Sequence, residues 1–237
     1  MKKYLIALAA IVLTASCSDK KEGNLQLTGN IEGLHKGTVY IQKLEDTAFV
    51  VLDSIAINGD SKFESSLNID SPEMLYLFLD RGTSNNIDNS LMFFAEPGKI
   101  NIDTDLETLY AKAKVTGSKN HDLYEEYKKV KARFTNEELT LTEQELIAFK
   151  DQKQVPADLK AKYGTILRRK YLYAANFALN NRDHEIAPYI ALAEISDVQN
   201  VMLLDTIQKA MSPKVAKGKY GKILTKYVSD RKKEQVK

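Results

Sequence analysis

The sequence predicts an α+β protein: an N-terminal antiparallel β-sandwich or barrel-like domain over residues 25–117, then a C-terminal α-helical domain or linker over residues 118–237. Two observations predict it. From Leu25 to Thr116 apolar residues recur with period two between closely spaced turn residues, the pattern of short half-buried strands. Past Gly117 the period becomes helical, and caps replace turns.

The strands follow in order. TVYIQKL (38–44) carries large apolar groups on both faces. VLDSIAI (51–57) leads through Asn58-Gly59 to KFESSL (62–67), and Asn-Gly supplies the positive φ that tight hairpin turns require. Asp60 and Ser61 lengthen that loop. EMLYLFL (73–79) is a dense apolar run and predicts a central strand. LMFFA (91–95) and INIDT (100–104) are joined by Glu96-Pro97-Gly98-Lys99, which reads as a type II turn because Pro fixes φ at its first centre and Gly accepts positive φ at its second.

The helices follow. Ser118 or Asn120 caps a helix through LYEEYKKVKARF, with Leu123, Tyr127 and Val130 on one face. Thr142-Glu143-Gln144-Glu145 reads as a capping box opening a second helix, LIAFKDQ. Pro156 suits the first turn of a long helix that ends at Asn180-Asn181. Pro188 suits the first turn of APYIALAEI, and Asp197 caps VQNVMLLDTIQKAM. Ser212-Pro213 starts a further segment. YGKILTKYVSDRKK makes a last amphipathic helix, with Ile223, Leu224 and Tyr227 clustered.

The first residues carry an address. Met1-Lys2-Lys3 precede an apolar run from Tyr4 to Leu13 and the small residues Thr14-Ala15-Ser16, as in a secretory signal. The run is shorter than the roughly 20 apolar residues of a membrane span. Cys17, the sole cysteine of the chain, follows at once. Residues 14–17 resemble the lipobox of bacterial lipoproteins, with Thr14 where Leu is usual. The resemblance implies a lipoprotein signal peptide over residues 1–16 and lipidation of Cys17 (a diacylglyceryl thioether plus an acyl chain such as palmitate). Three chains hold a protein to a membrane firmly, since each buried methylene contributes about 0.8 kcal/mol. Residues 17–24 are polar and predict a disordered tether. Asp19 and Glu22 resemble the acidic export tags of Bacteroidota surface lipoproteins, interrupted here by Lys20 and Lys21. The expected location is the outer membrane, on its periplasmic or its surface face.

Composition excludes some functions. Without Lys2 and Lys3 the basic and acidic residues balance at 32 each, which argues against a nucleic-acid partner. With Cys17 capped by lipid, no thiol and no disulfide is left, and no Cys-x-x-Cys occurs. The three histidines, His35, His121 and His184, lie in separate segments without metal-pair spacing and read as surface residues at turns or helix starts. Asp103-Thr104-Asp105 opens like a calcium loop, but Thr108 and Lys114 stand where its Gly and Glu belong. Gly218-Lys219-Tyr220-Gly221-Lys222 is too short for a phosphate loop, and Ile223 replaces its Ser or Thr. Ser229 and Lys232 have Ser-x-x-Lys spacing without supporting motifs. Tyr163, Tyr171, Tyr173 and Phe177 could stack on a sugar, but large aromatics at helical spacing read as core.

LTGNIEGLHKGTVYIQKL, DSIAINGDSKF, MFFAEPGKINI and KVTGSKNHDLYEEYKK together resemble the domain of unknown function 4369, found mostly in Bacteroidota lipoproteins. The shared features are Gly29 and Gly33, the Gly59 and Phe63 pair, the Pro97-Gly98 turn and Gly117-Ser118 entering a helix. In many relatives a helical linker and a thioredoxin-like domain follow, and residues 184–233 resemble that linker. Thiol exchange needs a thiolate, so that redox activity does not carry over to the residues present. The expected function is therefore a lipid-anchored, non-enzymatic binding or interaction module. It has no cofactor and no metal, and its partners are the membrane and an envelope protein, peptide or small ligand. The alternative is an accessory or docking component of a thioredoxin-like thiol–disulfide system. A carboxylate hydrolase is a third reading with no motif behind it.

Overall fold

A computed structural model describes residues 23–82, 89–196 and 201–235. The signal segment, Cys17 and the Asp197 cap lie outside them. The elements run β1 (Leu25–Glu32), β2 (Lys36–Glu45), β3 (Ala48–Asn58), β4 (Lys62–Leu67), β5 (Glu73–Asp80), β6 (Ser90–Ala95), β7 (Gly98–Asp105), β8 (Lys114–Thr116), α1 (Lys119–Lys150), α2 (Leu159–Asn180), α3 (Ile186–Ile195), α4 (Val201–Ala210), α5 (Pro213–Lys217) and α6 (Lys219–Gln235). The class is α+β, strands first and helices after.

The strands form two four-stranded sheets, in the orders β4-β1-β7-β8 and β3-β2-β5-β6. They face each other across a core of aliphatic side chains, among them Leu25, Leu27, Ile100 and Ile102 from the first and Val39, Ile41, Leu75, Leu77 and Phe93 from the second. This is a sandwich. It is not wholly antiparallel: β1 pairs with β4 antiparallel but with β7 parallel, Leu27 opposite Ile100. The chain crosses between sheets repeatedly, and two expected hairpins become crossings. Asn58-Gly59 ends β3 in one sheet and leads to β4 in the other, with Gly59 at φ +99°. Glu96-Pro97 likewise carries the chain from β6 to β7, and Gly98 (φ +136°) donates its N–H to the Asn24 carbonyl at 2.9 Å. The turn residues were legible, but turn chemistry says nothing about which sheet the next strand joins.

β5 and β6 are covered on both faces. Leu75, Leu77 and Phe93 point into the sandwich, whereas Met74 and Phe94 point out into a second core built with the helices. That is why EMLYLFL is a continuous apolar run. The helices thus form a third layer on the outer face of the second sheet, and the two halves share a core.

Gly117 makes the transition into α1. It sits at φ +94°, and a Cβ there would lie 2.0 Å from the Lys99 carbonyl oxygen. Ser118 then caps α1, its Oγ accepting the His121 N–H at 3.0 Å. α1 runs unbroken for 32 residues, so the expected capping box at Thr142 does not open a helix. Thr142 Oγ instead donates to the Glu138 carbonyl at 3.0 Å, a mid-helix bond. Leu141 and Ala148, buried on either side of the supposed boundary, hold the helix together. Pro156 precedes α2 rather than entering its first turn, and Ile223 is 44% exposed while Leu224 is buried. Gly23 and Asn24, expected at the end of a tether, are built into the sandwich. The Asn24 side chain donates to the Ile69 carbonyl at 2.7 Å and accepts the Ile69 N–H at 3.0 Å, replacing a ladder partner.

Candidate functional site

The seam between sandwich and helices gathers polar side chains from distant parts of the chain. Glu96 leaves β6 and reaches the start of α1, where its carboxylate accepts the Lys119 N–H and the Asn120 side-chain amide. A carboxylate there also meets the positive end of the helix dipole. Asn120, 2% exposed, turns its oxygen to the Ile186 N–H at 3.0 Å and so ties the same point to α3. On the other side of the seam, Met74 N–H donates to Tyr220 Oη at 2.9 Å and Lys219 N–H donates to Ser71 Oγ at 3.0 Å. Lys219 Nζ also pairs with Glu73.

A cavity of about 470 Å³ opens between these ties, lined by Asp70, Ser71, Glu96, Glu185, Lys214 and Lys217 among others. Four segments build it: the β4–β5 loop, the β6–β7 link, the residue before α3, and α5. Glu185 stands out. It is 3% exposed, yet its carboxylate makes no hydrogen bond or ion pair among the described residues. No fully enclosed side-chain oxygen there lacks a partner. The water access that Glu185 retains is therefore through the cavity. Asp70, Lys214 and Lys217 also form no ion pair among the described residues. The cavity thus holds separated charges of both signs.

A second depression adjoins His121. That histidine is buried, not on the surface, because its Nδ1 accepts the Phe94 N–H at 3.3 Å and so fastens β6 to α1. The ring proton is then on Nε2, which faces Glu125 Oε1 at 3.5 Å. Burial holds the imidazole below its usual pKa. Lys128 Nζ holds Glu125 at 2.6 Å and lies over the rings of Tyr110 and Tyr124, at 5.2 and 5.0 Å. His121 is thus occupied in fastening, and its neighbours satisfy one another.

His35 is exposed and His184 lies in the turn between α2 and α3. Among the described residues, no group of three or more His, Cys, Asp or Glu is placed to hold a metal ion. No helix among them is long and apolar enough to cross a membrane. Tyr173 and Phe177 are core, Tyr173 stacking on Tyr127 at 5.3 Å. Sequence reasoning missed Glu185, Asp70, Lys214 and Lys217. They are ordinary charged residues from three separate segments, Lys214 and Lys217 sharing α5, and no local signal announces their convergence.

Fold and seam define a class: a β-sandwich with a helical layer on one sheet and a small polar cavity where the two meet. Residues 25–124 match the family described as a domain of unknown function (DUF4369). The sandwich, with the first turns of α1, is a domain of that family. The match takes in Gly117, the Ser118 cap and His121, and so includes the fastening of α1 to β6. No curated protein matches the chain.

Proposed function

We propose that this protein is a lipid-anchored, non-enzymatic binding module of the cell envelope, held at the outer membrane through Cys17. Its binding site is the seam cavity, and its ligand is a small zwitterion such as an amino acid or a short peptide. The Glu185 carboxylate carries this reading. Its oxygens have no donor among the described residues and meet water only through the cavity, so a ligand ammonium entering there meets an unpaired carboxylate and forms a charge-assisted hydrogen bond. Lys214 and Lys217 on the same wall suit the ligand's carboxylate. A cavity of this size admits a molecule of that class.

Isothermal titration of the protein with free amino acids and short peptides tests the site. Charged hydrogen bonds contribute about 1.5–3 kcal/mol, so Glu185→Gln is expected to weaken binding by roughly ten- to a hundredfold, with the melting temperature of the free protein unchanged or raised. Equal affinity in both proteins, or no heat of binding at millimolar ligand, overturns it. Intact-mass analysis of the membrane-extracted protein tests the anchor: a chain starting at Cys17, carrying lipid and refusing alkylation, is expected.

A further inference from the structure

α1 outruns the rest of the fold. Its first half packs on β6, β8 and α3; among the described residues its second half packs on α2, through a small cluster of Phe134, Leu141, Leu159 and Ile166. Away from that cluster, α1 leaves Leu139, Leu146 and Phe149 60%, 62% and 82% exposed. With Thr142 they recur at intervals of three, four and three, and Thr135 continues the series four residues earlier. At 100° per residue, Leu139, Thr142, Leu146 and Phe149 share a sector about 80° wide. This is the spacing of the a and d positions of a heptad, the seam against which another helix packs.

The flanks give that helix its chemistry. The positions beside the stripe are Glu138 and Glu145 on one edge and Glu143 on the other, with Lys150 only at the far end. From Thr135 to Ala148 there are four glutamates and no lysine or arginine. Glu137 and Glu138 are neutralised by Arg169 and Lys170 of α2. Glu143 and Glu145 have no ion pair among the described residues. We infer that the outer face of α1 between Thr135 and Phe149 docks an amphipathic helix of a partner protein, with apolar residues at heptad spacing and lysine or arginine beside them. A second copy of this chain is a poor occupant. In either relative direction, two such stripes bring glutamate against glutamate, which disfavours pairing. An anionic lipid surface meets the same repulsion.

The test uses the mature full-length chain and two synthetic peptides of three heptads, leucine at a and d in both, lysine at e and g in one and glutamate in the other. Fluorescence anisotropy is expected to show the lysine peptide binding at least tenfold more tightly, with affinity falling as salt rises. Leu146→Ser is expected to weaken that binding at least tenfold while leaving the melting temperature in place, because the side chain is already in water. Three outcomes overturn the inference. One is equal binding of both peptides, or of the variant. Another is a wild-type dimer in sedimentation that Leu146→Ser dissolves. The third is binding to anionic phosphatidylglycerol vesicles that the same variant abolishes.

Discussion

The two ends of α1 live in different surroundings. Near its start, Tyr124 and Tyr127 sit in a lattice of rings. Phe94 meets Tyr189 edge-on at 5.7 Å, Tyr189 meets Tyr220 at 5.1 Å, and Tyr127 meets Phe177 at 5.1 Å. Three layers of structure bury that end. Near its finish, one apolar row and a few polar ties, Glu137–Arg169, Glu138–Lys170 and Thr142–Tyr163, join two helices, and large apolar groups stand in water beside them. A short helical pair is marginal by itself, so the tip is held by continuity with the base. Most of the ring contacts lie where sheet and helices are locked together, and at the tip Leu139, Leu146 and Phe149 stay exposed among the described residues.

Phe94→Ala attacks the base and is expected to have the largest effect. Phe94 is fully buried and touches helices from the sheet side. A loss of about 3–5 kcal/mol in denaturant unfolding is expected. A loss below about 1 kcal/mol breaks the comparison, because the base then has no more at stake than the tip.

Ile166→Ala attacks the tip, where the side chain is 6% exposed. Within a single cooperative core this change costs about 2–5 kcal/mol. A global loss of under about 1 kcal/mol is expected here, with hydrogen exchange accelerated at least tenfold in the second half of α1 and the first half of α2 only. A full core-sized loss with uniform exchange means that tip and base unfold as one unit.

The smallest effect is a pH dependence confined to the base. His121 is held below its ordinary pKa of 6.5 by burial. As pH falls below 6.5 the unfolded chain takes up a proton that the folded chain does not. His121 therefore stabilises the fold above that pH, and the contribution is lost as pH falls towards the lower folded value. Unfolding midpoints measured from pH 7.5 to 5 are expected to decline more steeply for the wild type than for His121→Gln. An identical slope removes His121 from the account.

The sandwich and its helical neighbour were legible because period and caps are local properties. The dense run at β5 announced a central strand, and of the two candidate caps, Ser118 and Asn120, α1 uses Ser118. Long-range choices were not legible. Nothing near Leu27 says that its neighbour is Ile100, in parallel. The Thr-x-x-Glu pattern at Thr142 is the same in a cap and in a helix interior, and the packing of Leu141 against Leu159 and Ile166 of α2 favours the interior. The seam site was invisible for the same reason: Glu185 is notable only because of what surrounds it in space. The heptad stripe was hidden by the supposed break, since splitting α1 at Thr142 divides it.

The Asn24 clasp fixes more than the first strand. Asn24 is bonded to Ile69 and Gly98, the immediate neighbours of Asp70 and Pro97 on the cavity wall. The described residues therefore begin at the cavity end. Six residue steps separate Cys17 from Gly23, a reach of about 20 Å at full extension. With the proposed lipid on Cys17, the leash is short and fastened beside the cavity mouth, so that mouth is kept close to the headgroups wherever the body swings. The stripe from Leu139 to Phe149 lies about 30–45 Å along α1 from the same seam. One molecule would thus sample the film of fluid next to the bilayer at one end while offering a handhold well away at the other.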